Sequence, residues 1–328
     1  VRTMRRIAWR TTTLALLVLC VLSVVFFVAH LVPGDPVGRI QDQDLGEAQR
    51  ALLRHRLGLD EPLGRRYLHW LAGAVRGDLG TSLRQQRPVT AILAEALPRT
   101  LLLTVTAYLV HLLLALPLGV WLARHYGTRR ERLVDLAGLV AWSLPSFWLG
   151  LILILLFARG LGWLPSGGMT SLDAARLGWP AQLGDLARHM VLPVVVLGAS
   201  TAAGTARYLR NSLLEVLDAD FIVAARARGL PERTVVWRHA VRNALLPVVT
   251  LVGLNLPFLL GGAVVTETVF AWPGMGRVTV EAIFARDYPV VIGATALAGV
   301  LVVVGNALAD ALYAVVDPRV GRGSGGGP

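Results

Sequence analysis

Long apolar runs alternate with polar stretches along the whole chain, and the runs are of membrane length. A helix needs about 20 predominantly apolar residues to cross a bilayer core. Residues 11–31, 101–123, 133–158, 190–209 and 288–316 meet that need, and a further run starts at Ala244. The pattern predicts an all-α, polytopic membrane protein with six spans. Pro117 is expected to break the second span and Pro145, flanked by Ser143 and Ser146, to kink the third.

The polar stretches set the orientation. Arg2, Arg5, Arg6 and Arg10 precede the first run, and Arg124, Arg129, Arg130 and Arg132 crowd the short loop after the second. Basic residues in short loops stay on the cytoplasmic side. Residues 1–10 are therefore read as a cytoplasmic N-terminus and 11–31 as an uncleaved first span. A cleaved signal peptide competes, but the run exceeds the usual apolar core of about 7–15 residues. Residues 32–98 then lie outside, since a segment this long translocates largely regardless of its arginines. Within it, Gly34, Asp35 and Pro36 form a turn, residues 46–57 and 62–75 have helical apolar spacing, and Gly77, Asp78 and Gly80 lie in a second turn. A short helix is expected over 89–97. Residues 160–188 form an outer loop with Trp163 and Trp179 at the interface. Residues 99–316 form the main membrane domain, and 317–328 a flexible cytoplasmic tail.

The loop 211–243 differs from the others. Residues 218–247 read DADFIVAARARGLPERTVVWRHAVRNALLP and hold Arg226, Arg228, Arg233, Arg238 and Arg242, which a membrane interior would exclude. Gly229 offers a left-handed helix end and Pro231 suits the first turn of a new helix. The prediction is helix, bend, helix. Ala224, Ala225 and Gly229 are small enough to leave a low-relief surface beside the bend, and the surrounding arginines suit a partner's carboxylates. That is a docking element.

Composition narrows the chemistry. Hydrophobic residues make up 55% and charged residues 16% of the chain, with mean hydropathy +0.59, against about 25% charged in soluble domains. All 32 Lys+Arg residues are arginine, so the chain has neither a phosphate-loop lysine nor a Schiff-base lysine. Any energy-driven process in which the chain takes part must draw on a partner or an ion gradient. The net charge of +11 is spread over loops without a stacking-aromatic groove, which argues against nucleic acid. Cys20 is the single cysteine, and the seven histidines form no ligand-spaced cluster, so no metal site is expected.

Two carboxylates lie at membrane depth. Glu267 follows Thr266 after a stretch with Asn255, Pro257, Gly261 and Gly262; it either serves transport or braces the next loop. Asp310, near Asn306, is either a proton relay or interfacial.

The docking loop resembles the E-A-A-x-x-x-G loop of ATP-binding-cassette importer permeases. Ala224, Ala225 and Gly229 match, Val223 stands in place of the glutamate, and residues 239–242 (His, Ala, Val, Arg) replace the family's I-x-L-P, with Leu-Pro at Leu246 and Pro247. The longer string A-R-A-R-G-L then R-H-A-x-R-N-A-L-L-P is similar to the dipeptide and oligopeptide branch, in its first permease subunit type. So are G-D-P at 34–36, G-D-L-G-x-S at 77–82, and T-E-T-x-F-x-W-P-G-x-G from Thr266 to Gly276.

The resemblance implies a six-helix permease of the bacterial inner membrane with both termini cytoplasmic and an extracytoplasmic scoop at 32–98. Its implied partners are a second permease, two ATPase subunits that hold ATP and Mg, a substrate-binding protein and lipid; the chain itself is no enzyme and carries no cofactor. It assigns coupling to Ala224, Ala225, Arg226, Arg228, Gly229, Arg238 and Arg242, and the path or gate to Asn255, Gly261, Gly262, Thr266 and Glu267. Extracytoplasmic docking falls to Gly34, Asp35, Pro36, Gly77, Asp78 and Gly80. Nickel complexes, glutathione or haem remain alternative cargoes. An ion-coupled carrier using Glu267 or Asp310 is the rival class, and a membrane hydrolase a third.

Overall fold

A computed structural model describes residues 2–31, 61–245, 248 and 263–316. Gly34, Asp35, Pro36, the helical spacing over 46–57, Leu246, Pro247, Asn255, Pro257, Gly261, Gly262 and the tail 317–328 lie outside the described residues. Every regular element among the described residues is helical apart from one isolated bridge between Thr81 and Pro88. The chain divides into two compact units: one holds Val1–Arg99 and Gly274–Val304, the other Thr100–Pro273 and Gly305–Pro328.

In the first unit, α1 (Arg2–Leu31) meets α2 (Leu63–Val75), which Pro62 opens as expected. Phe26 is buried, with its ring 5.4 Å from those of both Tyr67 and Trp70. The Tyr67 hydroxyl also lies 2.6 Å from Ser23 Oγ. Residues 67, 70 and 71 fall on one face because a helix repeats every 3.6 residues, so α2 lays a single aromatic stripe on α1.

The helix α3 (Val89–Arg124) begins in this unit, where Val89, Ile92, Leu93 and Ala96 follow the i, i+3, i+4, i+7 spacing. They bury against α11 (Met275–Ala285) and α12 (Tyr288–Val316) through Met275, Ala282, Val290 and Ala294. The short helix expected over 89–97 is therefore the first turns of α3, and Pro117 does not break that helix. Buried Ala115, Gly119 and Val120 on the flanking turns hold it against its neighbours; a Cβ at Gly119 would lie 2.8 Å from the Ala206 carbonyl.

In the second unit, the expected kink at Pro145 is a break. The helix α4 (Arg129–Ser143) and the segment Ser146–Gly160 are bent by 101°. That segment comprises α5 (Ser146–Leu153) and wide i→i+5 turns over Ile154–Gly160. Gly150 of α5 packs closely on Phe270 and Val269: an added Cβ would lie 3.2 Å from each, so those side chains would have to shift slightly. The fourth run is longer than expected, one continuous helical stretch over Trp179–Leu217. It consists of α6 (Trp179–Val194), wide turns over Val195–Ala199 just after Pro193, and α7 (Ser200–Leu217). A proline and an inserted wide turn are common partners in bent helices.

The chain then forms α8 (Asp220–Ala227), α9 (Glu232–Thr234) running on as wide turns over Val235–Ala240, and, past the undescribed stretch, α10 (Val264–Val269). Among the described residues, three stretches are long and apolar enough to cross a membrane, or four if the bent pair is one span. Most of the expected fifth span lies outside the described residues.

Candidate functional site: the 220–240 docking element

Residues 220–240 fold as helix, bend, helix, for the local reasons read in the sequence. Gly229 adopts φ +76, Leu230 N–H bonds back to the Ala225 carbonyl at 3.4 Å, and Pro231 starts the second helix. The element has an inner and an outer face. Ile222, Ala225, Val235, Val236 and Ala240 are buried in one cluster with Leu209 and Leu213 of α7 and Val120 and Ala123 of α3.

Ala225 is thus 5% exposed and belongs to the element's own core, which corrects the expectation of a low-relief outer surface at that residue. Ala224 is half-buried, whereas Arg226, Arg228, Gly229, Arg238 and Arg242 are exposed. Phe221, Val223, Leu230 and Trp237 add exposed apolar area to the same element, and spacing alone had not singled them out. Across the bend, Arg226 donates to both Glu232 oxygens, at 2.8 and 3.2 Å. That hydrogen bond holds the Glu232 carboxyl below its ordinary range and raises the Arg226 guanidinium above its own.

A charge cluster joins α7, the helix that leads into this element, to α4. Arg210 Nη1 of α7 is 2.7 Å from Glu131 Oε1 of α4 and 3.6 Å from Asp135 Oδ2; Arg207 Nε is 2.5 Å from Asp135 Oδ1 and its Nη2 donates to the Asp135 carbonyl at 2.9 Å. Thr128 and Glu131 read as a capping box, and Thr128 Oγ1 does accept Glu131 N–H at 3.2 Å. The Glu131 carboxylate instead pairs with Arg210. Sequence reading missed this cluster. The available signal was acids at i, i+4 and arginines at i, i+3, each on one helix face at the end of an apolar run.

Thr266 and Glu267 sit on α10 and are both buried, Glu267 completely. Thr100 Oγ1 donates to Glu267 Oε1 at 2.7 Å. The chain folds back just beyond: Trp272 N–H reaches the Glu267 carbonyl at 2.8 Å, and Phe270 and Trp272 are buried. The loop after residue 160 closes over this turn through Gly168 N–H to the Phe270 carbonyl at 2.8 Å, with Gly167 packed so closely that a Cβ would lie 2.6 Å from the same oxygen. Asp310 falls within α12.

In the first unit Gly77 and Gly80 take φ +83 and +87, and Asp78 Oδ1 accepts Gly80 N–H at 2.9 Å. These residues make an exposed turn leading into α3.

Residues 115–322 match the family described as binding-protein-dependent transport system inner membrane component, and residues 3–104 match the N-terminal region of such membrane components. The chain belongs to this family. The permease is 39% identical to the oligopeptide transport system permease protein AppB of Bacillus subtilis (strain 168), covering 95% of this chain and 98% of that one. It is 38% identical to the glutathione transport system permease protein GsiC of Salmonella typhimurium, covering 92% and 94%. The dipeptide transport system permease protein DppB of Escherichia coli (strain K12) is likewise 38% identical, covering 90% and 92%. A solved structure of the MetNI methionine ABC transporter in inward facing conformations shares the fold, with TM-score 0.53 and 20% identity over 69% of this chain and 96% of that one. As a family member, the permease is the membrane subunit of a transport system.

Proposed function

We propose that this permease imports dipeptides or oligopeptides across the bacterial inner membrane, with both termini in the cytoplasm. It would do so with a second permease, two ATPase subunits that bind ATP and Mg, and an extracytoplasmic substrate-binding protein. The observation that carries the reading is the two-faced docking element. Its inner face is built into the cluster that also contains α3 and α7, while its outer face keeps Phe221, Leu230, Trp237 and exposed arginines available. A rigid knob of this kind passes a push from a partner directly into two membrane helices. Relatives named for oligopeptide and dipeptide transport favour peptides as cargo.

The experiment is uptake into liposomes holding the complete complex, with ATP inside the vesicles, binding protein outside and no ion gradient. A panel of di- to pentapeptides, glutathione, a nickel chelate and haem identifies the cargo. Accumulation of peptides that requires ATP and the binding protein is the expected result. Transport only under a proton or sodium gradient would replace this reading with an ion-coupled carrier.

A further inference from the structure

The turn just before α3 is fastened by a residue from the far end of the sequence. Asp287, at the corner between α11 and α12, is 3% exposed and accepts three hydrogen bonds from this turn. They come from Ser82 Oγ at 2.5 Å, Leu83 N–H at 3.0 Å and Arg84 N–H at 3.2 Å. Ser82 is itself fully buried, and its Oγ accepts Gln85 N–H at 2.9 Å. The corner is fixed in turn, since Arg286 has φ +56 and Asp287 N–H bonds to the Ala282 carbonyl at 2.8 Å.

A surface loop is ordinarily mobile, and a buried carboxylate is costly unless its oxygens are occupied. Here one is committed to an otherwise exposed turn. The turn is closed further by Ser82 N–H to the Arg87 carbonyl at 2.9 Å and by the Thr81–Pro88 bridge. Its tip holds Gln86 at φ +54, a conformation that side-chain-bearing residues rarely keep without a reason. The result is a preformed projection whose exposed residues are Arg84, Gln85, Gln86 and Arg87. Arg87 pairs with Glu95, whereas the Arg84 guanidinium has no hydrogen bond or ion pair among the described residues.

We propose that Asp287 is a positioning residue that holds the 82–87 turn as a contact for the substrate-binding protein, with Arg84 meeting a carboxylate on that partner. This rests on the importer reading above, which puts the turn on the outer side of the membrane. Holding the turn in its bound shape removes the ordering cost from association. The free guanidinium supplies a charge-assisted, bidentate contact.

The test uses the complete complex in nanodiscs of zwitterionic phosphatidylcholine. ATPase rate is followed against the concentration of cognate binding protein loaded with a casein peptide digest. Arg84→Glu, Asp287→Asn and Ser82→Ala should each leave basal ATPase unchanged and raise the half-stimulating concentration about tenfold or more, with the plateau retained. Ser82→Thr, which keeps the hydroxyl, should restore the wild-type curve. A wild-type curve for both Arg84→Glu and Asp287→Asn overturns the proposal, as does a lowered plateau at unchanged half-stimulation. If Asp287→Asn fails to assemble, Arg84→Glu decides, because that side chain lies outside the packed region. A defect of Arg84→Glu confined to nanodiscs containing anionic lipid would mean that Arg84 meets headgroups, and overturns it too. No stimulation of the wild type sinks the importer reading itself, which separates the two failures.

Discussion

Arg210 Nη1 on α7 lies 2.7 Å from Glu131 Oε1 on α4, and the carboxylate is only 5% exposed. With Arg207 and Asp135 the pair joins α4 to α7, the helix that leads directly into the docking element. Removing one partner of a buried pair leaves an uncompensated charge. Arg210→Ala should therefore lower stability by about 3 kcal/mol, read as thermal unfolding of the purified complex in detergent. Glu131→Leu combined with Arg210→Leu should recover most of the loss, because an apolar pair leaves no buried charge. Unfolding of Arg210→Ala at the wild-type temperature would show that the cluster does not hold α4 in place.

The contacts of α7 and its neighbours distinguish glycines that are needed from one that is not. At Gly198 an added Cβ would lie 2.6 Å from the Ala107 carbonyl, and at Gly138 one would lie 2.9 Å from Ala203 Cβ; at Gly204 nothing lies within 4 Å. Gly198→Ala should cost about 1–3 kcal/mol or more through overpacking against backbone. Gly204→Ala should be neutral or stabilise by up to about 1 kcal/mol, since alanine loses less entropy in a helix. Equal unfolding temperatures for the two variants would contradict this ordering.

On the docking element, the informative substitutions are those on the outer face. Ala225→Asp would place a carboxylate among Ile222 and Val235 and disrupt the element itself. Trp237 is 50% exposed and Arg228 is exposed as well. Trp237→Glu and Arg228→Glu should leave the permease folded and inserted, yet reduce the ATPase that co-purifies with it several-fold. Stoichiometric ATPase with both variants would move the coupling contact elsewhere.

Local chemistry made some of this visible in the sequence. The bend at Gly229 and Pro231, and the start of α2 at Pro62, follow from the backbone preferences of those residues. Proline in an apolar run was ambiguous: Pro117 is carried within an uninterrupted helix, whereas Pro145 stands at a 101° break. The two prolines differ in their packing surroundings, which come from elsewhere in the chain: Gly119 lies against Ala206, and Gly150 against Phe270. The inward direction of Ala225 was hidden for a similar reason, since a small residue suits a tight core and a contact surface equally. Ser82 and Asp287 are 205 residues apart, and no spacing rule links them.

The Arg226–Glu232 pair gives a pH dependence of known sign. Its hydrogen bond lowers the folded-state pKa of Glu232, so its contribution is fully present above the unfolded carboxylate value of about 4.3. It is lost as pH falls through the lower folded value. Both side chains are solvent-exposed, so the contribution is small, about 0.2–1 kcal/mol at low salt. Glu232→Gln should speed amide exchange around Gly229 modestly at neutral pH and in low salt. The difference from wild type should shrink in high salt and vanish in strong acid. A difference that grows as pH falls would contradict the sign.

Glu267 is fully buried and accepts the Thr100 hydroxyl at 2.7 Å, while its backbone carbonyl receives Trp272 N–H. The first contact ties α10 to α3 and the second closes the turn that follows α10, as a brace would. Thr100→Val removes a donor to a buried carboxylate and should cost about 1–3 kcal/mol, whereas Thr100→Ser should cost much less because the hydroxyl is retained. Glu267→Gln keeps a carbonyl oxygen able to accept from Thr100. ATP-driven uptake by that variant, in vesicles without an ion gradient, should therefore remain within about twofold of wild type, a barrier change of under about 0.5 kcal/mol. The same assay separates brace from gate. If Glu267→Gln assembles normally, with unchanged unfolding temperature and ATPase content, yet uptake stops, the carboxylate acts in translocation itself.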